Sequence, residues 1–422
     1  MGIIEVVFNL SLVSIFVYSV VRALDKGVIT EAIIISCFFP TLASIMGIES
    51  FRTLGYLILM FVCAVFLVKN NPTLKINLFP EKKGYLLVVM TFIFVFVANS
   101  VFSKAIGGTY YFQKLVGTLL FIFLPMLMIV LCKDKKSSGE VLVSFLIISS
   151  IITAFILIYN AYLFGFEKIF EANFFPRLST SEETNPIWLG RFISIGLILN
   201  VVFTKRRLTK ILIALLLIVS VIFTGSKSVL IFPIITIFIY FNFLNSNKSV
   251  ADKFKNFGLI IIIVSAITYI LMSLNPAALE RRFSTNSGTI NDREGRYDIV
   301  LDAYNEEENY LFGNGIGSVS YPLSYSYNER DYPHNINIEM LYEFGIIGVL
   351  LFNILLIFPL ILLVRKRNRS KLINSYVSLV ILFMLYAQTS GDLIVNNIPF
   401  IFGVYLICLI PNNSTHESSL FI

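Results

Sequence analysis

Long apolar runs separated by short polar segments dominate the chain from end to end. They lie at residues 3–21, 28–48, 53–68, 84–102, 115–132, 141–164, 186–203, 211–224, 228–244, 257–274, 338–364, 372–389 and 398–410. Most approach the roughly 20 apolar residues that a membrane-spanning helix requires, whereas a membrane β-barrel would show short alternating strands. The pattern predicts an all-α polytopic membrane protein with about 12–13 transmembrane helices and one long external loop containing short helices.

The composition supports the same class. The 422 residues are 57% hydrophobic and 14% charged, against about 25% charged in a soluble domain. This balance excludes a soluble enzyme, a nucleic-acid-binding protein and a disulfide scaffold. All four cysteines (Cys37, Cys63, Cys132 and Cys408) lie within apolar runs, so we expect free thiols that pack as small hydrophobic side chains.

The basic residues alternate between the polar segments. Roughly two thirds of them fall in one set of gaps, which positive-inside bias assigns to the cytoplasm. The net charge of +7 therefore reflects topology and does not imply a polyanionic partner. We expect an N-terminal bundle of about ten spans at 1–274, an extracytoplasmic loop at 275–337, and C-terminal spans with a short tail at 338–422.

The long loop contains a predicted amphipathic helix from Asp292 to Tyr304. Asp292 is placed to cap it, and Arg293, Arg296, Val300 and Tyr304 form one stripe. Two guanidinium groups one turn apart suit phosphate oxygens. The alternative is that the arginines pair with acidic residues of the same segment, namely Glu294, Asp298 or Glu306.

A glycine-rich segment follows, with the sequence Leu311-Phe312-Gly313-Asn314-Gly315-Ile316-Gly317. No strand–helix unit surrounds it, which excludes a dinucleotide-binding fingerprint. We expect the glycines to allow a tight backbone turn against the membrane, with a backbone anion nest as the weaker alternative.

His334 and Asn335 are predicted to open a helix that continues as a span through Val364. At a helix N-terminus the dipole disfavours the imidazolium and leaves a neutral ring able to accept a proton, although an inert surface histidine is also common. Glu339 and Glu343 lie at i, i+4 spacing near the membrane core, where a carboxylate is a functional candidate. Snorkelling toward water is the alternative for Glu339.

Two further cations are unusually placed. Arg191 lies about one turn inside a span, and Lys227 lies in a tight external turn, Thr224-Gly225-Ser226-Lys227-Ser228. Each side chain could simply reach the interface. Asp392 joins the same face from the last external loop. The convergence of these cations indicates binding of an anionic lipid headgroup.

The order of these motifs resembles the O-antigen polymerase and ligase superfamily. The similarity covers about residues 185–400 and rests on four features: the Lys227 turn, the Arg296 helix, the 311–317 segment, and His334-Asn335 followed by Glu343-Phe344-Gly345-Ile346-Ile347-Gly348.

The resemblance implies a glycosyltransferase of the bacterial cytoplasmic (inner) membrane whose active site faces the periplasm. Such enzymes transfer a glycan from undecaprenyl pyrophosphate to an acceptor hydroxyl, with no metal and no cofactor. Arg296 corresponds to a pyrophosphate-binding arginine and His334 to the catalytic base. Lys227 occupies a position where the family usually has arginine. Arg191 and Arg293 are added from their placement alone, and Asn335, Glu339, Glu343 and Asp392 are possible supporting residues.

Two activities fit this resemblance. A polymerase would use a lipid-linked repeat unit as acceptor, with a chain-length regulator as a possible partner, and a ligase would use lipid A–core. We favour the polymerase because such polymerases are numerous and diverse. A flippase of lipid-linked sugars is less consistent with the sequence, because transporters bind near the midplane between repeats and no repeat is visible here.

Overall fold

The computed structural model describes residues 3–47, 57–65, 80–131, 139–165, 178–180, 185–244, 288–364 and 370–409, together with the single residues 249, 251, 255, 258 and 269. Within these ranges the regular structure is helical and contains no strand. Seven of the described helices are long and apolar enough to cross a membrane: Glu5–Asp25, Lys83–Val101, Thr109–Leu131, Glu140–Phe164, Pro186–Phe203, Lys227–Leu244 and Ile336–Leu363. The prediction of an all-α polytopic membrane protein is confirmed.

Further helices form much of the rest of the described residues. These are Ile29–Cys37, Phe39–Ile45, 57–65, Arg207–Phe223, Gly288–Glu306, Ser320–Ser324, Lys371–Ala387 and Ile398–Leu409. The predicted runs at 53–68 and 257–274 lie largely outside the described residues, so the count of 12–13 spans stays a prediction. Cys37, Cys63 and Cys408 are free thiols, as expected; Cys132 lies outside the described residues.

The helix Pro186–Phe203 is at the centre of the bundle. It packs against Glu140–Phe164, Arg207–Phe223 and Lys371–Ala387. Small residues allow this close approach: a Cβ on Gly196 would lie 2.3 Å from the Cβ of Ser150. Small residues at helix contacts are typical of membrane bundles, where van der Waals packing drives association.

The helix Ile336–Val364 is broken at Gly345, whose backbone is non-helical at φ 64° and ψ −165°. The glycine-rich segment pairs with the break. Asn314 N–H and Gly315 N–H donate to the carbonyls of Tyr342 and Glu343, at 2.9 and 2.8 Å, and Ile346 N–H donates to Tyr310 at 2.9 Å. The tight turn is therefore made against a broken helix, and its hydrogen bonds satisfy backbone groups that a break inside a membrane would otherwise leave unpaired.

The helix Gly288–Glu306 lies over this region. Val300 and Tyr304 are buried against Tyr110, Val319 and Tyr342 in a small core of their own, so the predicted stripe is confirmed for these two residues. The predicted cap at Asp292 is wrong, because the helix begins four residues earlier and Asp292 lies inside it. The packing presents Arg293 and Arg296 at the end of the bundle where Ile336–Val364 begins.

Candidate active site

A strap of residues 330–335 leads into the broken helix and carries the predicted catalytic histidine. Asn335 caps the helix: its Oδ1 accepts from Asn337 N–H at 2.9 Å and from Ile338 N–H at 3.3 Å. The prediction that a helix opens here is confirmed. His334, just before the cap, has a left-handed backbone with φ 61°. A non-glycine residue in this region is uncommon and is held there only by its surroundings.

The His334 ring is partly buried and adjoins two arginines. It packs edge-on against Tyr332, with centroids 4.7 Å apart, and its buried Nδ1 has no hydrogen-bond partner among the described residues. Burial, reinforced by the charges of Arg293 and Arg296, lowers the pKa of His334 from 6.5 to about 4. The ring is therefore neutral near pH 7, as predicted, although desolvation is the main cause and not the helix dipole.

Arg296 is held by the strap. Its Nη1 pairs with Oδ1 of Asp331 and lies 3.4 Å from the carbonyl of Tyr332. The predicted alternative of pairing with Glu294, Asp298 or Glu306 is not what the structure shows, because the partner carboxylate comes from 35 residues farther along the chain. Arg293, one turn earlier, has no carboxylate partner among the described residues and acts electrostatically on both His334 and Arg191.

Asp392 anchors the other side of the strap. Its carboxylate is fully buried and accepts two bonds from Arg330, at 2.9 and 3.0 Å, and one from the hydroxyl of Tyr110 at 3.1 Å. Burial alone would raise the pKa of Asp392, but Arg330 holds it below its usual value. A bidentate pair of this kind fixes orientation as well as distance. Since Arg330 adjoins Asp331, this clamp also positions the partner of Arg296.

Arg191 does not reach the interface, because its side chain is almost completely buried. Its guanidinium donates to the carbonyls of Tyr386 and Ser390, both at 2.9 Å, and to Oδ1 of Asn396 at 3.2 Å, and it lies over the Tyr386 ring at 4.9 Å. Every one of these acceptors is neutral, and Nε has no partner among the described residues. The positive charge of Arg191 is thus solvated by the dipoles of neutral groups.

Lys227 begins the helix Lys227–Ile239, directly after the turn that follows Phe223. This turn packs against the residue next to Arg191: a Cβ on Gly190 would lie 3.0 Å from Thr224 Oγ1 and 2.4 Å from Val229. The fold therefore brings the Lys227 turn beside the Arg191 helix.

Glu339 and Glu343 lie in a separate, fully buried network. Both pair with the Nζ of Lys114, which is 2.7 Å from Glu343 Oε1, and all three side chains have no exposed area. Glu343 also accepts from Gly317 N–H at 2.9 Å and Glu339 from Leu393 N–H at 3.1 Å. The suggestion that Glu339 snorkels toward water is wrong. These carboxylates bind together two helices and two loops, and neither contacts His334.

Lys114, Arg330 and Asp331 were missed from the sequence. Lys114 had a weak signal, because it directly precedes the apolar run at 115–132 and an ionisable residue within a membrane segment is a functional candidate by default. Arg330 and Asp331 had no sequence signal apart from being close to His334 along the chain. Their partners lie 62 and 35 residues away in the sequence.

The assembled site combines a neutral ring with several cations at one end of the bundle. Arg191, Arg293 and Arg296 provide positive charge, and His334 provides a nitrogen able to take a proton. Such an arrangement can stabilise a phosphate-type anion and activate a hydroxyl group.

The comparison with known proteins agrees with this chemistry. Residues 211–353 match the family model described as O-antigen ligase, a segment that includes Lys227, Arg293, Arg296 and His334 but excludes Arg191 and Asp392. No curated protein matches the chain. The match supports a ligase-type or polymerase-type activity in general and does not distinguish the two. It confirms the resemblance of residues 211–353, about one third of the chain, to the O-antigen polymerase and ligase superfamily.

Proposed function

We propose that the protein is a surface-polysaccharide polymerase of the bacterial inner membrane. It transfers a growing glycan from undecaprenyl pyrophosphate to a hydroxyl group of a lipid-linked repeat unit at the outer face. The observation that carries the proposal is the neutral His334 ring beside Arg293 and Arg296, with a buried nitrogen that has no hydrogen-bond partner in the described part of the chain.

In the proposed reaction His334 accepts the proton of the acceptor hydroxyl as its oxygen attacks the anomeric carbon. The bond from that carbon to the pyrophosphate oxygen breaks, with inversion, and the electron pair leaves with undecaprenyl pyrophosphate. Pyrophosphate is already a good leaving group, so the protein mainly supplies positioning, one base and charge stabilisation.

The cations have separate parts in this scheme. Arg191 and Arg293, which lack carboxylate partners among the described residues, receive the pyrophosphate, and Arg296 and Lys227 add positive charge at its edge. Burial lowers the pKa of His334 most, and Arg293 and Arg296 lower it further. An anionic substrate that offsets the two arginines therefore makes the base stronger once it binds.

A ligase that transfers the glycan to lipid A–core is the second candidate, because the matching family model is described as O-antigen ligase. The two are separated by supplying purified protein with lipid-linked repeat units alone and then with added lipid A–core. Chain growth without lipid A–core supports the polymerase. Transfer that requires lipid A–core shows the ligase, and a reaction abolished by chelation of divalent cations would contradict the proposed metal independence.

A further inference from the structure

A cavity lies at the other end of the helices that carry the site. Its volume is about 280 Å³, and its lining includes Arg22, Ser144, Phe203 and Leu372. Phe203 is 12 residues from Arg191 on one helix, a rise of about 18 Å. The excess of basic residues predicts that this end is cytoplasmic.

A group of cations lies close to residues that line the cavity. Lys371 lies next to the lining residue Leu372, and its Nζ is 5.4 Å from the centroid of the Phe203 ring. Lys205 and Lys210 are close enough to repel the Lys371 charge. Within the described part of the chain, no acidic side chain pairs with Lys205, Lys210 or Lys371, so the repulsion among them is uncompensated there.

The acidic groups near the cavity are already engaged. Glu140 lines it but forms an ion pair with Lys26 at 3.5 Å. The buried carboxylate of Glu31 accepts from Gly139 N–H and Leu142 N–H, at 2.9 and 3.0 Å. An incoming anion would therefore meet side-chain cations, since the helix amides at this point are occupied.

We propose that this cavity binds the headgroup of an anionic phospholipid of the inner leaflet. Lys371, Lys205 and Lys210 contact the phosphate, and the apolar lining around Phe203 and Leu372 receives the start of an acyl chain. The combination of a basic rim and an apolar interior fits an amphipathic anion better than a free phosphate ion.

The test measures thermal stabilisation of the full-length purified protein by added lipid. Phosphatidylglycerol is expected to raise the melting temperature more than phosphatidylcholine, and inorganic phosphate to have little effect. The double variant Lys210→Gln/Lys371→Gln is expected to need about 30-fold more phosphatidylglycerol for the same shift, from the usual contribution of two cations at an anionic surface.

The matched control is Lys83→Gln/Lys255→Gln, which removes two exposed lysines that do not line the cavity. It is expected to respond to phosphatidylglycerol as the unmodified protein does. Equal stabilisation by both lipids, or equal responses of the two double variants, would overturn the proposal. An inorganic phosphate effect as large as that of phosphatidylglycerol would overturn the lipid assignment.

Discussion

The three arginines near His334 differ in how far each is already neutralised. Arg296 pairs with Asp331, whereas every acceptor that binds Arg191 among the described residues is neutral. Arg293 is close enough to lower the pKa of His334. Arg191 and Arg293, which have no carboxylate partner among the described residues, are therefore the cations best suited to a substrate anion. Burial lowers the pKa of His334 most, and Arg293 and Arg296 lower it further.

The acid limit of activity should reflect this low pKa. With a pKa of about 4, His334 stays neutral down to about pH 5, where a histidine with an ordinary pKa would be mostly protonated. We expect kcat/KM, which reports the free enzyme, to fall only as pH approaches about 4. Arg293→Gln removes one repelling charge and should move the inflection upward toward 6.5. The control variant Arg207→Gln changes an exposed residue and should leave the inflection pH unchanged. An inflection near pH 6.5 in the unmodified protein would contradict the low pKa of His334.

Lys114 should matter for stability rather than for the chemical step. Lys114→Met leaves two buried carboxylates without their cation, and removal of one partner from a buried pair costs about 3–5 kcal/mol. Glu339→Gln should lower the free energy of unfolding by less, because Lys114 then keeps its ion pair with Glu343. Thermal unfolding of the purified protein measures both.

Lys104 provides the control for this comparison. It pairs with Glu307 at the surface, and exposed pairs contribute about 0–1 kcal/mol, so Lys104→Gln should melt close to the unmodified protein. If Lys114→Met has the same melting temperature as Lys104→Gln, the buried network contributes little to stability.

At the scale of elements, the break in Ile336–Val364 holds the strap, the glycine-rich segment and the site together. A Cβ on Gly345 would lie 2.4 Å from the backbone of Leu311, at a positive φ that favours glycine. Gly345→Ala should therefore displace the 310–315 segment and lower both the melting temperature and the rate of glycan transfer.

The control for the break is Gly84→Ala, in the helix Pro80–Val101. A Cβ there would meet only Phe358, at an ordinary 3.9 Å, so stability and transfer should be unchanged. Equal behaviour of the two alanine variants, measured by thermal unfolding and polymer yield, would show that the break is not needed.

Much of the local structure was predictable, and most tertiary pairings were not. The 3.6-residue pattern correctly placed Val300 and Tyr304 on the packed face of their helix. The same pattern suggested ion pairs of Arg296 with acidic residues of its own helix. In the structure Arg296 pairs instead with Asp331 of the strap. The break at Gly345 could not be predicted, because the apolar run at 338–364 has the same pattern whether its helix is continuous or broken. Motif order supplied His334 and Arg296 as candidate site residues, which stay a prediction. The ion pair of Lys114 with Glu343 was missed because its partner lies 229 residues farther along the chain.

At the scale of the whole molecule, the described helices have two chemically different ends. One end has the strap and the arginines, and the other has the exposed basic segment around Arg206 and the cavity. The basic residues predict that the second end is cytoplasmic.

Cysteine labelling tests this orientation. Tyr325→Cys, at a side chain that is 82% exposed, should react with a membrane-impermeant maleimide in spheroplasts. Arg206→Cys, at the other end, should react only after the membrane is permeabilised. Labelling of the unmodified protein measures the background from its own cysteines. Labelling of Arg206→Cys alone in sealed spheroplasts would reverse the proposed orientation.

The central claim is that His334 and its neighbouring arginines transfer a glycan from a pyrophosphate-linked lipid. The most direct measurement is polymer formation by purified protein supplied with lipid-linked repeat units, comparing the unmodified chain with His334→Ala and Arg296→Ala at equal amounts of folded protein. We expect chain growth by the unmodified chain and a loss of at least about 100-fold for His334→Ala, the low end of a general base's contribution. Arg296→Ala should also lose most of its activity. Full-length polymer from both variants at the unmodified rate would contradict the assignment of these two residues to the reaction.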